Sequence, residues 1–251
     1  MKSSYIDIHC HLEMCKDIDK CVKNAREKGV EIILTQGTDV KTNREALKLA
    51  EKYAEVKACL GIYPIDALKM SDKEIKKEID FIRDNKNKIV AIGEVGIDFK
   101  EDSENHERQK EIFRNFVELS MDIDKPIIIH SRKAEEECIE ILEKMNVKKV
   151  IMHCFCGKRK LVERIVKNGW YLTIPTSVKN GQQFQDNAKI VPIEQLFCET
   201  DSPFLHPDKK ENNEPGNVVV SYEKIAEIKG MNLGEVKDKI FENYKKLFLE
   251  A

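Results

Sequence analysis

Two histidines two residues apart, His9 and His11, stand in the stretch YIDIHCHL near the start of the chain. Side chains at i and i+2 of a strand share a face, and the flanking Ile6, Ile8 and Leu12 direct that stretch to a core. Neighbouring imidazoles in a core cost desolvation free energy unless hydrogen bonds or a metal satisfy them. Four further residues belong with them: Glu94 in AIGEVGIDF, His130 closing PIIIH, His153 in VIMHCF and Asp201 in LFCETDSPFL. Taken singly, each has a plain structural explanation: a satisfied polar residue, a turn carboxylate or, for Asp201, a cap to the turn at Ser202 and Pro203. Together they hold four of the six histidines and two carboxylates. That set is a poor packing solution and a natural ligand shell for divalent metals. Six ligands exceed what one tetrahedral ion needs and suit two ions sharing a carboxylate, with Glu94 best placed to bridge. Two ions roughly 3.5–4 Å apart activate water and neutralise a developing oxyanion. Such chemistry serves hydrolysis of phosphate esters, amides or lactones, and the ligands alone do not choose among them.

These residues must be brought together by the elements that carry them. Short apolar, β-rich runs recur at 5–9, 31–35, 56–60, 89–93, 126–130, 149–153, 170–174 and 195–200. A charged amphipathic stretch follows each of the first seven, and two helices, 219–229 and 234–249, close the chain. Gly29, Gly169 and Gly230 sit where a helix-terminating left-handed residue belongs, and Ser71 with Glu74 forms a capping box. Eight strand–helix units predict an α/β fold, a TIM-type (β/α)8 barrel forming a single domain over 1–251 with additional C-terminal helices. An open doubly wound sheet is the alternative, but HCHLEMCKD after the first run has no glycine for a dinucleotide fingerprint. All six candidate ligands then fall at the C-terminal ends of strands, the face on which barrel active sites assemble.

Composition narrows the function classes. A 41% hydrophobic content supports a sizeable core, and 35% charged residues imply a solvated surface. The net charge of -2 gives no general electrostatic grip on nucleic acid, so an anionic substrate must be held by local cations or metal. Eight cysteines without a signal segment or membrane span point to reduced thiols and a cytoplasmic setting. Cys154 and Cys156 do not form a CxxC pair and read as small residues near a core.

The set DIHCHL, AIGEVGIDF, PIIIHSR, MHCFCG and ETDSPFL, with NEPGNVV and IAEIKG downstream, resembles the TatD-related family of metal-dependent deoxyribonucleases, within the amidohydrolase-like barrels. The resemblance implies one metal held by His9, His11, Glu94 and Asp201 and another by Glu94, His130 and His153. It implies Mg2+, Mn2+ or Zn2+ as cofactor and nucleic acid, chiefly DNA, as substrate. Two departures stand out. GIYP places Tyr63 where the family commonly has histidine, which puts proton transfer there in question. The loop HPDKKENNEP lacks the family's arginine, leaving Lys209 and Lys210 as point charges.

The expected reaction is in-line attack of a metal-activated water on a phosphodiester, with Asp201 as general base and Glu94 at the catalytic centre. Asp98 and Glu199 are candidates to orient a histidine N–H. Arg132 and Tyr63 are candidate substrate contacts; Phe155 and Phe204 rank below Tyr63 for stacking on a base. His106 reads as a surface or helix-start residue and His206 as an exposed loop histidine. Alternation along the first strand turns Cys10 away from the histidines. A small-molecule hydrolase (amidase, lactonase or phosphoesterase) and a binding protein on a weakened barrel are the competing readings.

Overall fold

The computed structural model describes residues 4–250. Eight parallel strands pair in sequence order: β1 (Tyr5–Cys10), β2 (Val30–Gln36), β3 (Val56–Leu60), β4 (Ile89–Gly96), β5 (Ile127–His130), β6 (Val150–Met152), β7 (Tyr171–Pro175) and β8 (Leu196–Glu199). Helices alternate with them: α1 (Ile18–Glu27), α2 (Val40–Lys52), α3 (Pro64–Leu68), α4 (Asp72–Asp84), α5 (His106–Asp122), α6 (Glu135–Lys144), α7 (Arg159–Lys167) and α8 (Gln182–Ile190). Then α9 (Val219–Lys229) and α10 (Leu233–Tyr244) follow β8. The result is a TIM-type barrel.

Local chemistry sets these boundaries. Strands such as IVAIGEVG and IIIH are apolar on both faces because lumen and helices bury both sides. Asp17, Ser71 and Asn232 accept hydrogen bonds from backbone N–H groups in the first turns of α1, α4 and α10. Asp39 and Thr42 cap α2 reciprocally. Gly29, Gly169 and Gly230 have φ of 81°, 72° and 63° at helix ends.

The structure departs from the sequence reading in three places. β4 continues to Gly96, so Glu94 lies inside the strand rather than after it. There Gly96, at φ 149°, lets β5 approach so closely that an added Cβ would collide with the His130 carbonyl oxygen. α3 is a short helix that alternation did not announce, started by Pro64 at its first turn. The last helix changes to a π-helical turn over Lys245–Leu249.

β1 and β8 meet at a seam closed largely by side chains. Near the C-terminal ends two backbone bonds cross it, from Asp201 N–H to His9 O (2.9 Å) and from His11 N–H to Ser202 O (2.7 Å). Lower down, the buried Asp7 carboxylate accepts from the Thr200 N–H (2.8 Å) and hydroxyl (2.6 Å). The Tyr222 hydroxyl of α9 accepts from Ile6 N–H (3.0 Å) and lies 3.2 Å from Ile6 O. These groups satisfy strand-edge donors and acceptors that would otherwise be buried unpaired.

Candidate metal centre

The structure brings His9, His11, Glu94, His130, His153 and Asp201 together at the C-terminal mouth of the barrel. Glu94 stands between two histidine pairs and offers each a different oxygen. Its Oε2 is 3.6 Å from His9 Nε2 and 3.4 Å from His11 Nε2. Its Oε1 is 2.9 Å from His130 Nδ1 and 3.4 Å from His153 Nε2. Asp201 Oδ1 faces the first pair, 3.6 Å from His9 and 3.5 Å from His11. Three groups have ligand atoms within 4.8 Å of one another: His9, His11 and Asp201; Glu94, His130 and His153; and His9, His153 and Glu199.

Outer partners fix the rings. His130 Nε2 is 2.9 Å from Asp98 Oδ2, and His153 Nδ1 is 3.0 Å from Glu199 Oε2. His11 Nδ1 is 3.3 Å from the Gln36 carbonyl oxygen. With each of these contacts taking a ring N–H, His130 Nδ1, His153 Nε2 and His11 Nε2, all directed at Glu94, are the nitrogens that would be free to ligate once deprotonated.

His9 is the exception that tests the fit to metal. It is fully buried, and neither ring nitrogen has a hydrogen-bond partner. Burial, reinforced by charge on His153, whose ring lies 3.7 Å away, pushes its pKa below the ordinary value. A neutral imidazole aimed at two carboxylates beyond hydrogen-bond reach is an unfavourable arrangement unless a cation completes it. The donor set of nitrogen and carboxylate oxygen fits a divalent ion.

Electrostatics agree. Burial alone would raise Glu94, but the surrounding imidazoles of His11, His130, His153 and His9 hold it well below the usual carboxylate range. Burial is likewise overcome at Asp201, which His11 lowers most. At His11, burial is opposed by Asp201 and Glu94; at His153, by Glu199 and Glu94; both end well above the ordinary imidazole value. His130 is raised for the same reason, by Asp98 and Glu94. Asp98 would also rise on burial, yet contacts from His130, the Glu101 N–H and Tyr63 bring it to about 2.

Backbone conformation concentrates here too. Lys133, Cys154, Asp201 and Leu205 are non-glycine residues at φ of 58°, 41°, 53° and 52° on this face. Such conformations persist where surrounding contacts over-determine them, commonly at functional sites.

The cleft above the six clustered residues has about 370 Å³ on one side and about 330 Å³ on the other, both reaching His130, Arg132, His153 and Asp201. Tyr63 lines it, but its phenol proton goes to Asp98 at 2.8 Å, so Tyr63 steadies the carboxylate that holds His130. Arg132 is half-exposed and 3.4 Å from Glu101. Phe155 is fully buried in the core and unavailable for stacking, whereas Phe204, ranked with it below Tyr63, lies exposed at the mouth. His106 stacks on Phe99 at 3.6 Å, and His206 Nδ1 accepts from Asp208 N–H; neither joins the cluster. Cys10 points away, its thiol on the Leu34 carbonyl at 3.4 Å. Sequence reasoning missed Glu13, buried 3.9 Å from His11 Nδ1 and accepting from Thr35, and Glu101 at the rim. The sequence Leu12–Met14 carries no periodic signal that would turn Glu13 inward.

Comparison with known proteins places the chain. The sequence model of the TatD related DNase family matches residues 6–249. An uncharacterized metal-dependent hydrolase of Methanocaldococcus jannaschii is 38% identical over 97% of this chain and 96% of its own. The Homo sapiens deoxyribonuclease TATDN3 is 31% identical over 97% of this chain and 94% of its own. Among solved structures, Escherichia coli YJJV, a TatD homologue, superposes with a TM-score of 0.92 at 24% identity, covering 99% of both chains.

Proposed function

Because this chain belongs to the TatD-related DNase family, we propose that it is a metal-dependent nuclease whose whole length, 1–251, forms one hydrolase domain cleaving DNA phosphodiester bonds. The observation that carries the reading is Glu94, whose two oxygens face two separate histidine pairs beside the orphaned imidazole of His9. In this reading His9, His11, Glu94 and Asp201 hold one ion and Glu94, His130 and His153 the other. The ions are Mg2+, Mn2+ or Zn2+, and the imidazole-rich set favours Zn2+ over Mg2+. Bound there, they supply Lewis-acid activation of the phosphoryl group and of water.

The chain's own residues do the rest. Asp201, partly open to the cleft and kept ionised by His11, accepts the proton of the attacking water. Asp98 and Glu199 orient His130 and His153, and Tyr63 steadies Asp98. Arg132, the one cationic side chain lining the cleft among the described residues, orients the phosphate. All eight cysteines are free, which supports a reducing, cytoplasmic setting. No helix of the described residues is long and apolar enough to cross a membrane.

A second reading, hydrolysis of a small phosphoester, amide or lactone, is favoured by the acidic rim of Asp66, Glu101 and Glu135, which opposes a long polyanion. One experiment separates them: protein with Mn2+, Zn2+ or Mg2+ is given labelled DNA and a panel of small esters and amides. DNA cleavage abolished by EDTA and by Glu94→Ala supports the nuclease. Turnover of small substrates alone refutes it.

A further inference from the structure

Apolar and polar side chains are segregated around the cleft. Among the described residues, the large hydrophobic side chains left exposed are Met14, Val40, Met121, Phe204 and Leu249. Three of these, Met14, Val40 and Phe204, lie in the segments that follow β1, β2 and β8. Those strands are neighbours at the mouth, where His11 N–H bonds Ser202 O at 2.7 Å across the seam. The segments after β3, β4 and β5 supply Tyr63, Asp66, Glu101 and Arg132 to the opposite side. Met14 and Phe204 line the cleft itself, whereas Val40 lies outside its lining, so the cleft has an apolar side of Met14 and Phe204 and a polar side, with the six clustered residues between them.

Phe204 is 53% exposed, yet its turn is firmly held. Its N–H donates to Asp201 O at 2.8 Å, and the next carbonyl, Leu205 O, accepts from the Thr176 hydroxyl at 2.7 Å. The preceding carbonyl, Pro203 O, accepts from Asn213 N–H at 2.9 Å, while the Asn213 side chain donates to Thr200 O at 2.8 Å. The turn that presents Asp201 to the ligand cluster thus also presents the ring, 6.1 Å from the His11 ring. With the backbone that carries it already held, only the two side-chain torsions of this ring remain to be ordered on meeting a flat ligand, which limits the ordering cost.

We propose that Phe204 is the platform on which the base adjoining the cleaved phosphodiester stacks, with Met14 completing the apolar side. The proposal rests on the nuclease reading above and deepens it. A lobe of about 370 Å³ is on the scale of a small-ligand pocket and takes one nucleotide unit, not a run of them. With the phosphate at the ligand cluster and the sugar crossing the cleft, the base meets the apolar side. Arg132, on the other side, is left to the phosphate oxygens.

The test compares two probes that differ only in the base: deoxyadenosine 5′-monophosphate and 2-deoxyribose 5-phosphate. Each is titrated calorimetrically into Mn2+-loaded wild type, Phe204→Ala and Phe204→Trp. Base–aromatic stacking corresponds to roughly a 5- to 150-fold affinity difference. Wild type should prefer the nucleotide by a factor in that range, Phe204→Ala should bind the two probes nearly equally, and Phe204→Trp should keep the preference. Equal affinities in wild type, or an undiminished preference in Phe204→Ala, overturns the proposal. A preference that depends on Phe204 in a protein that cleaves no DNA supports the platform and sinks the nuclease reading instead.

Discussion

Glu199→Gln changes almost nothing in shape and should still weaken metal binding, because it acts on where one proton sits. In the wild type Glu199 Oε1 accepts from the Cys154 N–H at 3.0 Å while Oε2 faces His153 Nδ1 at 3.0 Å. The Cys154 amide is backbone and can only donate, so in the variant the side-chain carbonyl oxygen must turn to it and the amide NH2 must turn to His153. Two donors cannot face each other in this fully buried position, so His153 has to present a lone pair at Nδ1 and carry its proton on Nε2. That is the nitrogen now aimed at Glu94 Oε1, and a protonated nitrogen cannot ligate. Loss of an outer partner to a ligating histidine typically costs about 10- to 100-fold in metal affinity, or roughly 1.4–2.7 kcal/mol. The assay is competition of purified apoprotein with a chromogenic chelator for Zn2+ or Mn2+ at about pH 8.5, on the alkaline side because Glu199 and Glu94 overcome burial and raise His153 above the ordinary imidazole value. The site that includes His153 should lose affinity in that range and the other should hold. Wild-type affinity at both sites would refute the tautomer argument and the placing of His153 in the metal shell.

Other outcomes follow from the same geometry. Asp201→Asn should lower kcat by about 10²–10⁴-fold while changing substrate KM far less, and steady-state kinetics with wild-type turnover would remove the general-base role. Gly96→Ala should destabilise the fold by about 2–4 kcal/mol, since the new methyl meets the His130 carbonyl and φ is unfavourable; urea denaturation measures it. The raised pKa values of His11, His130 and His153 stabilise metal-free protein fully below about pH 6.5, and that contribution is lost as pH climbs through the raised folded values. His9, held neutral by burial, works in the opposite direction. Metal needs deprotonated imidazoles, so the rise in Tm on adding Mn2+ should grow from about pH 6 to about pH 8.5; a pH-independent rise would contradict the reading.

The barrel was legible in the sequence because strands buried on both faces are near-continuous apolar runs and the helices between them are amphipathic and capped. The six clustered residues were legible because strand ends fall on one face of a barrel, so position along the chain becomes position in space. The rest depends on packing. Whether Phe155 or Phe204 reaches solvent is decided by a turn pinned through Asn213 and Thr176, far apart in the chain. Tyr63 gives its proton to Asp98, a pairing 35 residues apart that no periodicity encodes. Glu13 turns inward on a single 3₁₀ turn too short to carry a pattern. α3 and the extension of β4 through Gly96 are likewise set by neighbours.

The seam between β1 and β8 bears on the order in which the molecule can assemble. Asp7 and Thr200 are 193 residues apart, and Ile6 and Tyr222 are 216 apart. Ring closure over such a span is entropically among the most expensive in the chain. His9 and His11 lie on one lip of that seam and Asp201 on the other, so the group of His9, His11 and Asp201 exists only after closure. A fragment ending before Tyr222 contains all six clustered residues but lacks the hydroxyl that bonds the Ile6 backbone. In the proposed reading, an ion held by His9, His11 and Asp201 would span the seam and tie the first strand to the segment that follows the last.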